Sequence, residues 1–195
     1  MLSSKKICVA ILASGSGTNA QNLIRYFRNH ERIEIALVIS NRGDAYVLDR
    51  AEMENVPSAV IPKALWDDKE YVTGILQKCN IHFLVLAGYL LLIPSWIVSL
   101  YSGRIINIHP SLLPKYGGKG LYGDKVHQAV LSSGDSKSGI TIHYVNEEYD
   151  SGDIIFQAEC DVGASDTPDT LAARIHELEY FHFPRVVEEV IQSNL

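Results

Sequence analysis

Short unbroken apolar runs alternate along this chain with stretches whose apolar residues recur every three or four positions. Ile7–Ala13 is continuous and apolar, as a strand buried on both faces requires. Leu23, Ile24 and Phe27 then fall at helical spacing, which predicts a helix over about Asn19–Asn29. The pattern continues with a strand at Ile33–Ser40, a helix near Tyr46–Asn55, a short strand near Ser58–Ile61 and a helix over Lys69–Lys78. A buried strand at Phe83–Ala87, a helix at Pro94–Leu100 opened by its proline, and a strand at Ile105–Ile108 complete the first half. Alternating strands and helices predict a parallel sheet with helices on both faces.

The second half reads differently. Ile140–Val145 alternates, Ile154–Ala158 is strand-like, and no helix fits between them, so these two strands should run antiparallel. Asp169–Gln192 predicts a long closing helix, interrupted near Pro184. The expected class is therefore α/β. It is a single-domain, open, twisted, mostly parallel sheet of Rossmann-like type, with an antiparallel C-terminal strand pair and a long terminal helix. Length agrees, since 195 residues suffice for one full core. The Gly-rich piece Lys115–Asp124 is short enough to be an active-site loop.

Two strand ends carry candidate chemistry. After the first strand comes Ser14-Gly15-Ser16-Gly17-Thr18-Asn19. Glycine there permits close backbone approach, and the following helix offers unpaired N–H groups and a positive dipole end to an anion. A phosphate site built from Gly15, Ser16, Gly17, Thr18 and Asn19 is the reading, against a plain tight turn with a helix cap. Gly15, Gly17 and Ala20 also fit a dinucleotide fingerprint. That reading expects an acidic residue after the second strand, where this chain has Ser40-Asn41-Arg42; Arg42 facing a 2′-phosphate leaves NADP as an alternative.

The second end is Asn107-Ile108-His109-Pro110-Ser111-Leu112-Leu113-Pro114. Asn107 and His109 are two apart on a strand, so both point to one side. Pro110 has no N–H for the ladder and should end the strand. Read alone, the pair is also compatible with a capping Asn beside a satisfied loop histidine. Asp150, between the two late strands, is by itself a turn residue. If that turn folds over Asn107 and His109, its carboxylate favours the imidazolium, and the Asn amide is free to stabilise an oxyanion. Such a set suits acyl transfer to an amine. Ser111 lacks the strand–elbow–helix setting of a nucleophile, and the remaining histidines lack metal-ligand spacing, so no metal is expected.

Composition narrows the partners. A formal charge of −6 gives no electrostatic footprint for nucleic acid. Leu84–Ile97 is the most apolar stretch, but Gly88, Pro94 and Ser95 break it, so no membrane span is expected. Cys8, Cys79 and Cys160 lie far apart, which fits a reducing compartment, and Met1–Lys6 lacks a signal-peptide pattern. The expectation is a cytoplasmic monomer or homodimer acting on small molecules.

With the glycine loop, the Asn107–Pro114 motif and Asp150 together, the chain resembles the phosphoribosylglycinamide formyltransferases, the folate-dependent transformylases of purine biosynthesis. The resemblance runs through Ser14–Asn19, Leu86–Tyr89, Gly103–Tyr116, His143–Val145, Asp150–Gly152 and the terminal helix. It implies formyl transfer from 10-formyltetrahydrofolate, as cosubstrate, to the amine of phosphoribosylglycinamide (GAR). Asn107 would bind the formyl oxygen, His109 would act as general acid or electrostatic stabiliser, and Asp150 would hold His109 charged and help organise proton transfer. The glycine loop would take the GAR phosphate, and Glu179 would meet its amine side. Folate would lie against Lys69, Tyr89, Leu90, Leu91, Leu92, Ile93 and Asn107. A cis bond before Pro114 is also implied.

The chain departs from that pattern at Leu91 and Lys69, where folate-facing arginines are expected, and in the longer Gly117–Gly123 loop, which suggests a mobile lid. A 10-formyltetrahydrofolate hydrolase and a sugar-nucleotide formyltransferase share the Asn–His–Asp set and stand as alternatives. The hydrolase resemblance brings an extra N-terminal domain, for which Met1–Lys6 leaves no room, and the related tRNA enzyme needs a basic surface.

Overall fold

The structure, a computed structural model, describes residues 6–194. The expected absence of a signal pattern thus falls almost wholly outside the described residues. These residues form two compact units that divide between Ile105 and Ile106.

In the first unit the strands are β1 (Ile7–Leu12), β2 (Ile33–Ser40), β3 (Ser58–Val60) and β4 (Ile81–Leu86). They lie in the order β3-β2-β1-β4 and every pairing is parallel. Val9–Leu12 of β1 are fully buried, as a central parallel strand covered on both faces must be. Helices α1 (Thr18–Phe27), α2 (Val47–Met53), α3 (Lys69–Lys78) and α4 (Ser95–Leu100) connect them. α1 buries Ala20, Leu23, Ile24 and Phe27, the stripe seen in the sequence. α3 begins at Asp68, whose carboxylate accepts from the Tyr71 N–H and so satisfies one open donor of the first turn.

The second unit contains β5 (Ile105–His109), α5 (Asp124–Ser133), β6 (Lys137–Tyr144), β7 (Ile154–Asp161) and α6 (Pro168–Ser193). β6 pairs antiparallel with both β5 and β7, so the antiparallel set is three strands rather than the expected two. α5 was not foreseen. It follows a glycine-rich stretch, sits between Gly123 and Gly134, and buries only Val126, His127 and Val130, too short a stripe to stand out. α6 opens on a capping box of Thr167 and Thr170, with Pro168 at its first position. It is not interrupted at Pro184. The proline is buried in a face with Ile175, Phe183 and Val187, and that packing outweighs the missing N–H. The α/β class with parallel strands first, antiparallel strands last and a long closing helix stands as expected.

Candidate active site

β5 ends where Pro110 withdraws its N–H, and the next five residues turn back under β6. Thr141, fully buried, holds that turn: its hydroxyl accepts from the Leu113 N–H at 2.9 Å and donates to the Ser111 carbonyl at 2.6 Å. Gln157 on β7 adds bonds to Thr141 Oγ1 and the Leu113 carbonyl. The Leu113–Pro114 bond is cis, as the resemblance implied.

Within this frame Asn107 lies opposite His143 in the β5–β6 register. The Asn107 amide nitrogen is 3.0 Å from His143 Nε2 and 3.4 Å from Asp150 Oδ1. His143 Nδ1 is 2.8 Å from the Tyr144 carbonyl, which can only accept, so the proton sits on Nδ1 and Nε2 receives the amide. His109 Nδ1 is 3.6 Å from Asp150 Oδ2, and His109 Nε2 is 2.8 Å from the Tyr116 carbonyl. Asn107, His109 and Asp150 therefore meet, and the turn does fold over the strand end.

Two glycines make that approach feasible. A Cβ on Gly152 would stand 1.8 Å from the Tyr144 carbonyl oxygen, so only glycine lets the Asp150 turn close on β6. A Cβ on Gly117 would meet Leu113 at 2.5 Å and Asp150 Cβ at 3.2 Å. The next residue, Gly118, donates its N–H to Asp150 Oδ2 at 2.8 Å. The expected lid is thus pinned at its start: Tyr116 binds His109, and Gly118 binds Asp150. Asp150 itself has φ 52°, a left-handed conformation a non-glycine residue holds only when its contacts fix it.

The electrostatics correct one expectation. Asp150 was expected to hold His109 charged, yet the imidazole is pushed below its ordinary value. Burial is the largest cause, and it outweighs the opposing pull of Asp150 and the Tyr116 carbonyl. For Asp150, burial raises the carboxyl, but His143, His109 and the Gly118 N–H together bring it below its usual range. The carboxylate stays ionised while the imidazole is reluctant to charge.

Glu179 on α6 is a nearly fully buried carboxylate, 2.9 Å from His176 Nδ1, and that bond raises the His176 imidazole. His127 on α5 is also buried, with Nδ1 lacking a hydrogen-bond partner among the described residues. His127 and His143 were passed over in the sequence because neither has metal-ligand spacing. For His143 the signal was there, since an antiparallel partner of the Asn107 strand must place one residue opposite Asn107. Ser111 is fully buried and gives its proton to the Lys115 carbonyl, so it is no nucleophile.

In the first unit the glycine loop turns tightly into the start of α1, with Gly17 as its cap. Gly17 has φ 75°, and a Cβ there would stand 2.4 Å from Val47 Cγ2. Gly15 and Ser16 are exposed, Thr18 and Asn19 half-buried, and no acidic residue occupies the first turn of α1. Arg50, unforeseen, donates to the Ser16 carbonyl at 2.8 Å and sets a cation beside the loop. Arg42 instead pairs bidentately with Asp44, which leaves the dinucleotide alternative without its cation.

The expected folate-facing segment divides. Tyr89 and Ile93 turn their side chains into the core, Tyr89 edge-on against Trp66, while Leu90 and Leu92 are exposed and Leu91 is half-buried. Lys69 holds its ammonium 6.0 Å above the Trp96 ring. Tyr89 and Ile93 thus contribute packing rather than lining side chains.

A carboxamide, two imidazoles and an ionised carboxylate gather at a strand end, with the local serine occupied, an arrangement chemically suited to direct acyl-group transfer. Comparison with known proteins agrees. The family profile described as Formyl transferase matches residues 6–187, and the chain belongs to the formyl transferase family. It is 39% identical to the chloroplastic phosphoribosylglycinamide formyltransferase of Arabidopsis thaliana over 96% of this chain and 66% of that one. Against the Haemophilus influenzae phosphoribosylglycinamide formyltransferase it is 36% identical over 96% of this chain and 88% of the relative. The crystal structure of the Anaplasma phagocytophilum phosphoribosylglycinamide formyltransferase superposes with a TM-score of 0.87 at 33% identity, covering 97% of this chain and 89% of that one. The Bacillus halodurans structure of the same name gives 0.86 at 33% identity, covering 96% and 97%.

Proposed function

We propose that this protein transfers the formyl group of 10-formyltetrahydrofolate to the amine of GAR in purine biosynthesis. In this reading it acts as a single formyltransferase domain, with the GAR phosphate on the glycine loop and the chemistry at Asn107, His109 and Asp150. The observation that carries the reading is the convergence of Asn107, His143, His109 and Asp150 at the end of β5. The relatives' names supply the acceptor.

In the reaction the acceptor nitrogen forms a bond to the formyl carbon, and the carbonyl π pair moves to oxygen. The Asn107 amide N–H supports that oxyanion, giving up its contact to Asp150 to do so. Asp150, ionised, takes up the proton the amine loses. Asp150 passes that proton to His109 Nδ1, and the imidazolium so formed delivers a proton to the leaving folate nitrogen as the carbon–nitrogen bond to it breaks, so both groups end the cycle as they began. Glu179 faces the amine side. Lys69, Leu90, Leu91 and Leu92 are the remaining candidates for folate contact.

Cys8, Cys79 and Cys160 are half-buried thiols, which favours a reducing compartment, and no helix among the described residues is long and apolar enough to cross a membrane. The thiols fit a cytoplasmic enzyme, and small-molecule substrates and a monomeric or dimeric chain complete the reading. Formyl transfer assayed with GAR, with water alone and with an amino-sugar nucleotide tests the reading. Turnover should require GAR. An unchanged rate without it would assign the protein to the hydrolases instead.

A further inference from the structure

His109 takes its close hydrogen bond from the backbone, through Nε2 to the Tyr116 carbonyl. A carbonyl only accepts, so this contact keeps a proton on Nε2 and turns Nδ1 toward Asp150. The direction of that carbonyl is set by the Tyr116 backbone, at φ 57°, in the left-handed region a tyrosine rarely adopts. Such a conformation persists only where its surroundings over-determine it.

What holds it is the far end of the side chain. The Tyr116 hydroxyl lies 2.8 Å from Asp135 Oδ2 and 2.5 Å from Ser133 Oγ. Its one proton is shared between the carboxylate and Ser133 Oγ, because Ser133 directs its own proton to the Val130 carbonyl at 2.7 Å. Asp135 stands in the turn between α5 and β6, remote in sequence from β5. Lys115 closes the same carboxylate at 2.9 Å, and the buried Ser111 hydroxyl holds the Lys115 carbonyl at 2.8 Å. Residues 115 and 116 are thus fixed at both backbone and side chain.

We infer that Tyr116 and Asp135 are positioning residues for His109: the phenol–carboxylate bond aims the Tyr116 carbonyl, and the carbonyl sets which imidazole nitrogen carries the proton. The inference deepens the formyl-transfer reading and rests on it only where turnover is measured. His109 is faced by Asp150 from the β6–β7 turn, His143 from β6, His127 from α5 and Glu179 from α6. The Tyr116 carbonyl favours the protonated ring, so loosening it should move the imidazole further down.

The test is Tyr116→Phe in the full chain, with the His109 ring followed by nitrogen NMR against pH, beside the pH profile of kcat. The His109 titration and the basic limb of kcat should both move to lower pH, and the Nε2–H tautomer should lose population. The kcat at pH 7.5 should fall roughly tenfold, a part of the ~10²–10⁴ that a positioned acid supplies, with KM for GAR unchanged. Asp135→Ala breaks the same bond and serves if the tyrosine variant does not fold. Lys115→Gln, which removes only the exposed ion pair, should leave the His109 titration at its wild-type position. A Tyr116→Phe protein that loses thermal stability but keeps the wild-type tautomer and titration would overturn the inference. The NMR arm needs no substrate. A shifted His109 in a protein that never formylates GAR would therefore refute the activity and leave the positioning role intact.

Discussion

Asn107 and His143 face each other across the β5–β6 pair with the amide nitrogen 3.0 Å from the imidazole Nε2. Because His143 carries its proton on Nδ1, it acts as an acceptor that orients the Asn107 amide. One amide hydrogen is thereby committed to His143 and the other, in the longer contact to Asp150, is the one an oxyanion can claim. Asn107→Ala should lower kcat by about 10²–10³, the range for one lost oxyanion donor. KM for GAR should hold, since the phosphate loop is untouched. Single-turnover formyl transfer measures this, and an unchanged rate would remove Asn107 from the chemistry.

Gly152 is required by contact rather than by backbone freedom. With a Cβ only 1.8 Å from the Tyr144 carbonyl oxygen, Gly152→Ala must push the turn away from β6 and carry Asp150 with it. A displacement near 1 Å at a reacting group costs about 10²-fold in rate. The variant should therefore fold, bind GAR and turn over poorly. Wild-type turnover in Gly152→Ala would mean that the position of Asp150 is unimportant.

How much of this was legible beforehand follows the physics of each element. Ile33–Ser40 and Lys69–Lys78 came out at the boundaries read from the sequence, because a buried strand and a capped amphipathic helix signal themselves locally. Asn107, His109 and Asp150 were found from strand alternation and turn chemistry. α5 was hidden by its flanking glycines, and the run of α6 through Pro184 depends on tertiary packing that no local rule contains. The direction of the His109 shift was misjudged for the same reason: the sequence shows a carboxylate partner but not how deeply the imidazole is buried.

Thr141 holds two groups of the turn after β5, and Gln157 of β7, with one hydroxyl. Thr141→Val preserves shape but leaves the buried Leu113 N–H and Ser111 carbonyl without partners. At about 1–2 kcal/mol for each of these two orphaned groups, the lower part of the usual range, the loss should total about 2–4 kcal/mol. For a chain of this length that is roughly 5–15 °C in Tm. A Tm within a degree of wild type in thermal denaturation would show that the turn is held elsewhere.

Gly17 tests the phosphate loop. Its φ of 75° and the 2.4 Å that would separate an alanine Cβ from Val47 Cγ2 make Gly17→Ala strained on both counts. Stability should fall by about 1–3 kcal/mol. Because the loop binds a part of the substrate that does not react, KM for GAR should rise while kcat at saturation holds. A fall in kcat with KM unchanged would place the phosphate away from this loop.

His127 supplies the pH dependence of stability. Burial is the first cause that lowers its imidazole below the ordinary 6.5, His176 and His109 lower it further, and Glu179 and Asp124 oppose them without prevailing. The unfolded chain therefore binds a proton at His127 at a pH where the folded chain does not. Between the folded value and 6.5, stability rises with pH. It is fully present above 6.5 and lost as the pH falls through the folded value. His127→Phe, which keeps a ring of similar size and cannot titrate, should lose less Tm than wild type between pH 7.5 and 5.5. The remaining acid sensitivity would belong to His109 and His182, which are shifted in the same direction. Equal Tm losses in the two proteins would show that His127 charges as easily in the fold as in the unfolded chain.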